Sequence, residues 1–114
     1  MSRVVRDQKT TELMSSGVTI EDPATAYVDA SVTIGSDTIL HPGVSIEGRT
    51  TIGIGCEIHS GARIVDSQIG DRVTILNCCV ITNATIADDA SIGPFAHLRP
   101  DSDVRAKAKV GNFV

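Results

Sequence analysis

Val44-Ser45-Ile46-Glu47-Gly48-Arg49-Thr50-Thr51-Ile52-Gly53-Ile54-Gly55-Cys56-Glu57-Ile58-His59-Ser60-Gly61-Ala62-Arg63-Ile64 carries isoleucine at every sixth position. A compact residue (Val44, Thr50, Cys56, Ala62) stands two places before each isoleucine. Extending the register both ways gives an aliphatic series: Val28, Ile34, Leu40, Ile46, Ile52, Ile58, Ile64, Ile69, Ile75, Ile81, Ile86, Ile92, Leu98, Val104 and Val110. The step is six throughout, except for two steps of five, Ile64 to Ile69 and Ile81 to Ile86. The column two places earlier runs Ala26, Val32, Thr38, Val44, Thr50, Cys56, Ala62, Ser67, Val73, Cys79, Ala84, Ala90, Ala96, Ser102 and Ala108, all small and uncharged. Alternation along a strand points i−2 and i to the same face, so both columns line one interior.

Three such strands per coil make a triangular prism of 18 residues per turn, with coils starting at Val28, Ile46, Ile64, Ile81 and Leu98. Both five-residue steps fall on the same side of the prism, so the other two sides keep register. Strands about 4.8 Å apart give five coils a height of roughly 24 Å. The pattern predicts an all-β chain, a parallel β-helix. Gly35, Gly53, Gly70, Gly93 and Gly111 each follow an anchor, where backbone freedom is expected to help a turn.

Composition supports a narrow aliphatic core. Only Tyr27, Phe95 and Phe113 are aromatic, and no Trp is present among 114 residues. The net charge of −4 argues against a nucleic-acid surface. The chain has no apolar run long enough to cross a membrane and no signal-peptide core, so a cytoplasmic location is expected.

The N-terminal segment differs. Residues 3–16, with Arg3, Arg6, Lys9 and Glu12, are compatible with a short polar helix capped by Gly17. It leads into Val18-Thr19-Ile20 and a turn at Asp22-Pro23. The expected organisation is a linker helix and leading strand over 1–20, then a β-helix over 21–114 that is incomplete at its C-terminal end.

Several side chains invite chemical readings. Cys56 and Cys79 belong to the small inner column and read as buried fillers, whereas Cys78 points outward. His41 and His59 lie 18 residues apart and should stack on successive coils. Zinc needs three or four ligands, and their column continues with Leu76, Gly93 and Gly111, so a solvated pair and no metal are expected. A carbonic-anhydrase triad of histidines is not present. The outward threonines (Thr33, Thr51, Thr74, Thr82, Thr85) do not form the regular ladder of an ice-binding face. Arg99, Arg105, Lys107 and Lys109 are compatible with an anionic ligand or with ordinary surface charge.

The hexad pattern resembles the left-handed β-helix of the hexapeptide-repeat acyltransferases, and left-handedness is expected on that resemblance alone. Ile92-Gly93-Pro94-Phe95-Ala96-His97-Leu98-Arg99-Pro100, then Val110-Gly111-Asn112-Phe113-Val114, is more specific. With Ile69-Gly70-Asp71, Ile58 and the stretch Gly17 to Pro23, it resembles the acetyltransferase domain of the bacterial bifunctional enzymes that make UDP-N-acetylglucosamine. Those are N-acetylglucosamine-1-phosphate uridyltransferases and glucosamine-1-phosphate N-acetyltransferases.

The resemblance implies acetyl-CoA as co-substrate, glucosamine 1-phosphate as acceptor, a homotrimer, and Arg99 as the substrate-binding residue that meets the sugar phosphate. This chain departs from the family pattern at Asp101, where Gly is usual, and at His97, where Arg is frequent. The family's catalytic His motif, Gly-His-Leu-Thr-Tyr, its substrate-binding Lys and most of its acetyl-CoA site fall after Val114. No catalytic residue is therefore expected in these 114, and the chain alone is expected to be inactive. The alternative is a non-enzymatic structural or trimerisation module on the same solenoid.

Overall fold

A computed structural model describes residue 9 and residues 11–111. Arg3, Arg6 and the Asn112-Phe113-Val114 end of the motif lie outside the described residues. Residue 9 and residues 11–15 are helical and form α1. Gly17, at φ 96°, ends it as a helix C-cap. Val18 N–H donates to Leu13 carbonyl at 3.0 Å and Gly17 N–H to Met14 carbonyl at 3.2 Å. This paired arrangement satisfies carbonyls that the last helical turn leaves free. The turn expected at Asp22-Pro23 also forms, with Ala26 N–H bonded to Asp22 carbonyl.

Among the described residues, sixteen strands of two or three residues form three parallel sheets, which are the faces of the prism. Face one stacks β2 (Tyr27–Val28), β5 (Ser45–Glu47), β8 (Arg63–Val65), β11 (Val80–Thr82) and β14 (His97–Leu98). Face two stacks β3 (Thr33–Ile34), β6 (Thr51–Ile52), β9 (Gln68–Ile69), β12 (Thr85–Ile86) and β15 (Asp103–Val104). Face three stacks β1 (Thr19–Ile20), β4 (Ile39–Leu40), β7 (Glu57–Ile58), β10 (Thr74–Ile75), β13 (Ser91–Ile92) and β16 (Lys109–Val110).

The register is the one read from the hexads: Ile46 pairs with Ile64, Ile81 with Leu98, and Ile52 with Ile69. Both five-residue steps lie at the corner between faces one and two. The fold is a left-handed parallel β-helix of about five turns.

Every anchor from Val28 to Val104 is buried, as is the small column from Ala26 to Ala96. The three hydroxyls in that column are paired, as buried polar groups must be. Thr38 donates to Gly53 carbonyl at 2.9 Å, Thr50 to Glu47 carbonyl at 2.7 Å, and Ser67 to Val65 carbonyl at 2.9 Å. In the last described coil Ser102, Ala108 and Val110 are only half-buried. At the opposite end Leu13 of α1 is buried in the core, and Lys9 Nζ donates to Val32 carbonyl at 2.6 Å. The helix thus covers a top face whose carbonyls have no preceding coil above them, which is the capping a solenoid end needs.

The corners correct one expectation. Among the described residues after an anchor, Gly35, Gly53, Gly70 and Gly93 do not have positive φ. The left-handed residue comes two places later, immediately before the small column. Between faces two and three it is Asp37, Gly55, Arg72, Asp89 and Lys107; between faces three and one it is Gly43, Gly61, Cys78 and Phe95. Each non-glycine there carries a steric cost, offset by a bond to the coil before it. Arg72 N–H donates to Ile54 carbonyl at 2.8 Å, and Phe95 N–H to Asn77 carbonyl at 2.9 Å. The glycines after the anchors are needed for close approach instead. A Cβ on Gly35 would lie 2.7 Å from Gly53 C, and one on Gly53 would lie 2.6 Å from Gly70 O.

Candidate functional site

Arg99 follows Leu98 at the end of β14 and is exposed, on the last described coil. It lines an open depression of about 350 Å³ with His97, Leu98 and Ser102. Its backbone is fixed: Ser102 Oγ donates to Arg99 carbonyl at 2.6 Å. Among the described residues its guanidinium makes no ion pair, whereas Arg63 and Arg72 are both engaged. Asp101, the residue that departs from the family pattern, sits in a left-handed corner at φ 68°. Its carboxylate accepts a hydrogen bond from Asn83 Nδ2 at 3.1 Å, so one oxygen is occupied within the corner stack.

The other basic residues do not gather around Arg99. Arg105 follows β15 on face two, Lys107 occupies the next corner, and Lys109 lies in β16 on face three. Arg105 makes only a long contact with Asp103, at 3.9 Å between well-exposed groups. The basic side chains of this coil therefore surround the prism instead of forming one patch.

Two arginines join successive coils. Arg63 Nε donates to Glu47 at 2.8 Å, and this bond is the main reason the Glu47 carboxyl lies below its ordinary range. Arg72 grips Asp89 through Nε and Nη2 at 2.8 and 3.2 Å, which lowers the Asp89 carboxyl. Pairs as exposed as these are screened by water and contribute little to stability.

The cysteines fall as the columns require. Cys56 and Cys79 are buried and Cys78 is exposed. Burial pushes both inner thiols up from their ordinary pKa, and their sulfurs face Gly70 carbonyl at 3.1 Å and Gly93 carbonyl at 2.9 Å. We expect a thiol reagent to modify one cysteine per chain rapidly in the native state, and three after unfolding. Mass mapping that finds Cys56 or Cys79 labelled as fast as Cys78 would contradict this placement.

His41 and His59 do stack, with ring centroids 4.5 Å apart and an interplanar angle of 9°. The column reading missed their carboxylate partners. Glu57 enters from the outward position before Ile58, with its Oε2 2.8 Å from His41 Nε2, and Glu21 Oε1 lies 2.7 Å from His41 Nδ1. Its signal was the i, i+2 spacing of Glu57 and His59, which puts both on the outside of one strand. Thr33, Thr51 and Thr85 share an outward column on face two, but Gln68 interrupts it and Asp103 follows.

The coil geometry and the aliphatic interior define a hexapeptide-repeat β-helix. The chain belongs to the family described as the GMPPB C-terminal domain, whose family model matches residues 12–114. It is also homologous to the C-terminal portion of proteins named bifunctional protein GlmU. Identity is 45% over 99% of the chain to the protein of Trichlorobacter lovleyi, and 47% over 98% to that of an Anaeromyxobacter species. It is 52% over 89% of the chain to that of Lactobacillus delbrueckii subsp. bulgaricus. The chain spans about a quarter of the length of these relatives: 25%, 23% and 22% respectively. The resemblance seen in the Ile92 to Pro100 motif is thus matched along the whole solenoid.

Proposed function

We propose that these coils are part of an acetyltransferase unit that handles glucosamine 1-phosphate and acetyl-CoA in the cytoplasm, in the making of UDP-N-acetylglucosamine. The observation that carries this reading is the homology to bifunctional GlmU along 99% of the chain. Arg99 supports it, because an exposed guanidinium with no ion pair among the described residues suits two-pronged contact with a phosphate. Two pieces of chemistry are then supplied by coils that follow Val114 in the family: the general base and most of the acetyl-CoA site. Without a base the acceptor amine stays an ammonium at neutral pH and cannot attack the thioester. His41 and His59 do not replace it, since they sit on face three several coils from Arg99.

The working form is a homotrimer in this reading. Face two suits packing between copies, since its outward positions Thr33, Thr51, Gln68 and Thr85 are uncharged over four coils and Gly35, Gly53 and Gly70 lie beside them. Among the described residues no helix is long and apolar enough to cross a membrane.

Thiol release from acetyl-CoA, measured with and without glucosamine 1-phosphate, tests the assignment of roles. The expected result is no sugar-dependent release by the 114 residues, and a light-scattering mass of three chains. Sugar-dependent release would show that a working base lies within the chain, with His97 beside Arg99 the first to test. A clean monomer would count against the trimer.

A further inference from the structure

We propose that His41, Glu57 and His59 form a zinc site at the N-terminal end of face three, with Glu21 holding His41 in its ligating orientation. The inference is independent of the acetyl-transfer reading. β4 pairs with β7 so that Leu40 lies over Ile58, which places His41 and His59 in one column on adjacent coils. Glu57 comes from the next column on the same outward face. The candidate ligand atoms of the three residues all lie within 4.8 Å of one another. Glu57 Oε2 is 2.8 Å from His41 Nε2 and 3.5 Å from His59 Nε2. Neighbouring ligands of a tetrahedral zinc ion, bound at 2.0–2.2 Å, stand roughly 3.3 Å apart, so these two spacings bracket the required one.

Glu21 supports the arrangement from behind: its Oε1 lies 2.7 Å from His41 Nδ1, the ring nitrogen on the other side from Glu57. An outer carboxylate of this kind orients an imidazole whose second nitrogen binds a metal. The two rings stack with an interplanar angle of 9°, so ligation by both requires one of them to turn out of the stack.

Two imidazoles and a carboxylate are a fitting zinc donor set, with the fourth position left to water. The carboxylate–histidine–metal relay is the usual outer support of such ligands. The side chains are also reachable, with His41 and His59 exposed to 22% and 24%. Zinc here would join the coil of β4 to that of β7, through ligands whose outer support comes from β1.

The test uses the full chain, free of any polyhistidine tag and stripped of metal, titrated calorimetrically with zinc chloride. Co²⁺ absorption would report the coordination geometry. We expect one saturable equivalent per chain, a four-coordinate Co²⁺ spectrum and a melting temperature that rises with zinc concentration. Glu57→Gln and His59→Ala, checked by circular dichroism for an intact fold, are expected to abolish binding. Glu21→Gln should weaken it 10- to 100-fold without changing the stoichiometry. Cys78→Ser, which removes the exposed thiol, should leave it unchanged. Absence of saturable binding by the unmodified chain would overturn the proposal. So would binding that survives both ligand substitutions, or that is lost with Cys78.

Discussion

Ile64→Ala will destabilise the protein by about 2–5 kcal/mol, as measured by urea denaturation. Ile64 is fully buried in the middle coil, paired with Ile46 before it and Ile81 after it. Shortening it leaves a cavity bounded by three coils, in a prism with no aromatic side chain among its buried residues to move in. Solenoid stability is a sum of repeat and neighbour-interface contributions, so a central defect weakens two interfaces at once. Val110→Ala is the matching control. Val110 is an anchor by sequence but only half-buried, and its truncation should cost under about 1 kcal/mol by area removed from water. Equal costs at the two positions would contradict a core that is continuous through the middle and open at the last described coil.

Gly53→Val will destabilise by about 3 kcal/mol or more, at the upper end of what overpacking costs. The added Cβ would meet Gly70 O at 2.6 Å and Gly70 C at 2.7 Å, and both atoms belong to the backbone of the next coil. No rotamer change relieves such a contact; the coils must separate locally. Gly111→Ala provides the contrast, because among the described residues none comes within 4 Å of the Cβ it would add. Its effect should stay within about 0.5 kcal/mol, like other surface changes. Both glycines follow an anchor, so a role in turn freedom predicts similar costs. Close approach predicts very different ones, and thermal melts of the two variants separate the explanations.

The strands were legible because a prism interior repeats its demands. Each side of each coil requires one large aliphatic and one small residue, and fifteen successive sides met that requirement without a charged exception. Even the two five-residue steps could be placed on one corner, since any other placement would shift whole faces out of register. The corners were not legible for the opposite reason. What recurs there is a backbone angle, and its occupants range from Gly55 and Asp37 to Arg72, Cys78 and Phe95. Only Gly, Asn and Asp announce that angle by type. Meanwhile the conspicuous glycines marked crowding between coils, a property of the next coil as much as of their own.

The candidate site divides in the same way. The His41–His59 stack followed from an 18-residue spacing, but Glu57 belongs to a neighbouring column, and reading one column at a time stopped at two ligands. Arg99 came from the Leu98-Arg99-Pro100 resemblance. Nothing in the charge pattern separates it from Arg105, Lys107 or Lys109, and it is the structure that spreads these four residues around the prism.

The central proposal is that the last described coil presents Arg99 to a sugar phosphate, and amide NMR of the chain titrated with glucosamine 1-phosphate tests it most directly. The account predicts saturable shifts centred on His97, Leu98, Arg99 and Ser102 that vanish in Arg99→Ala while the rest of the spectrum is unchanged. Shifts that persist in Arg99→Ala, or a spectrum that does not respond to the sugar phosphate at all, would contradict it.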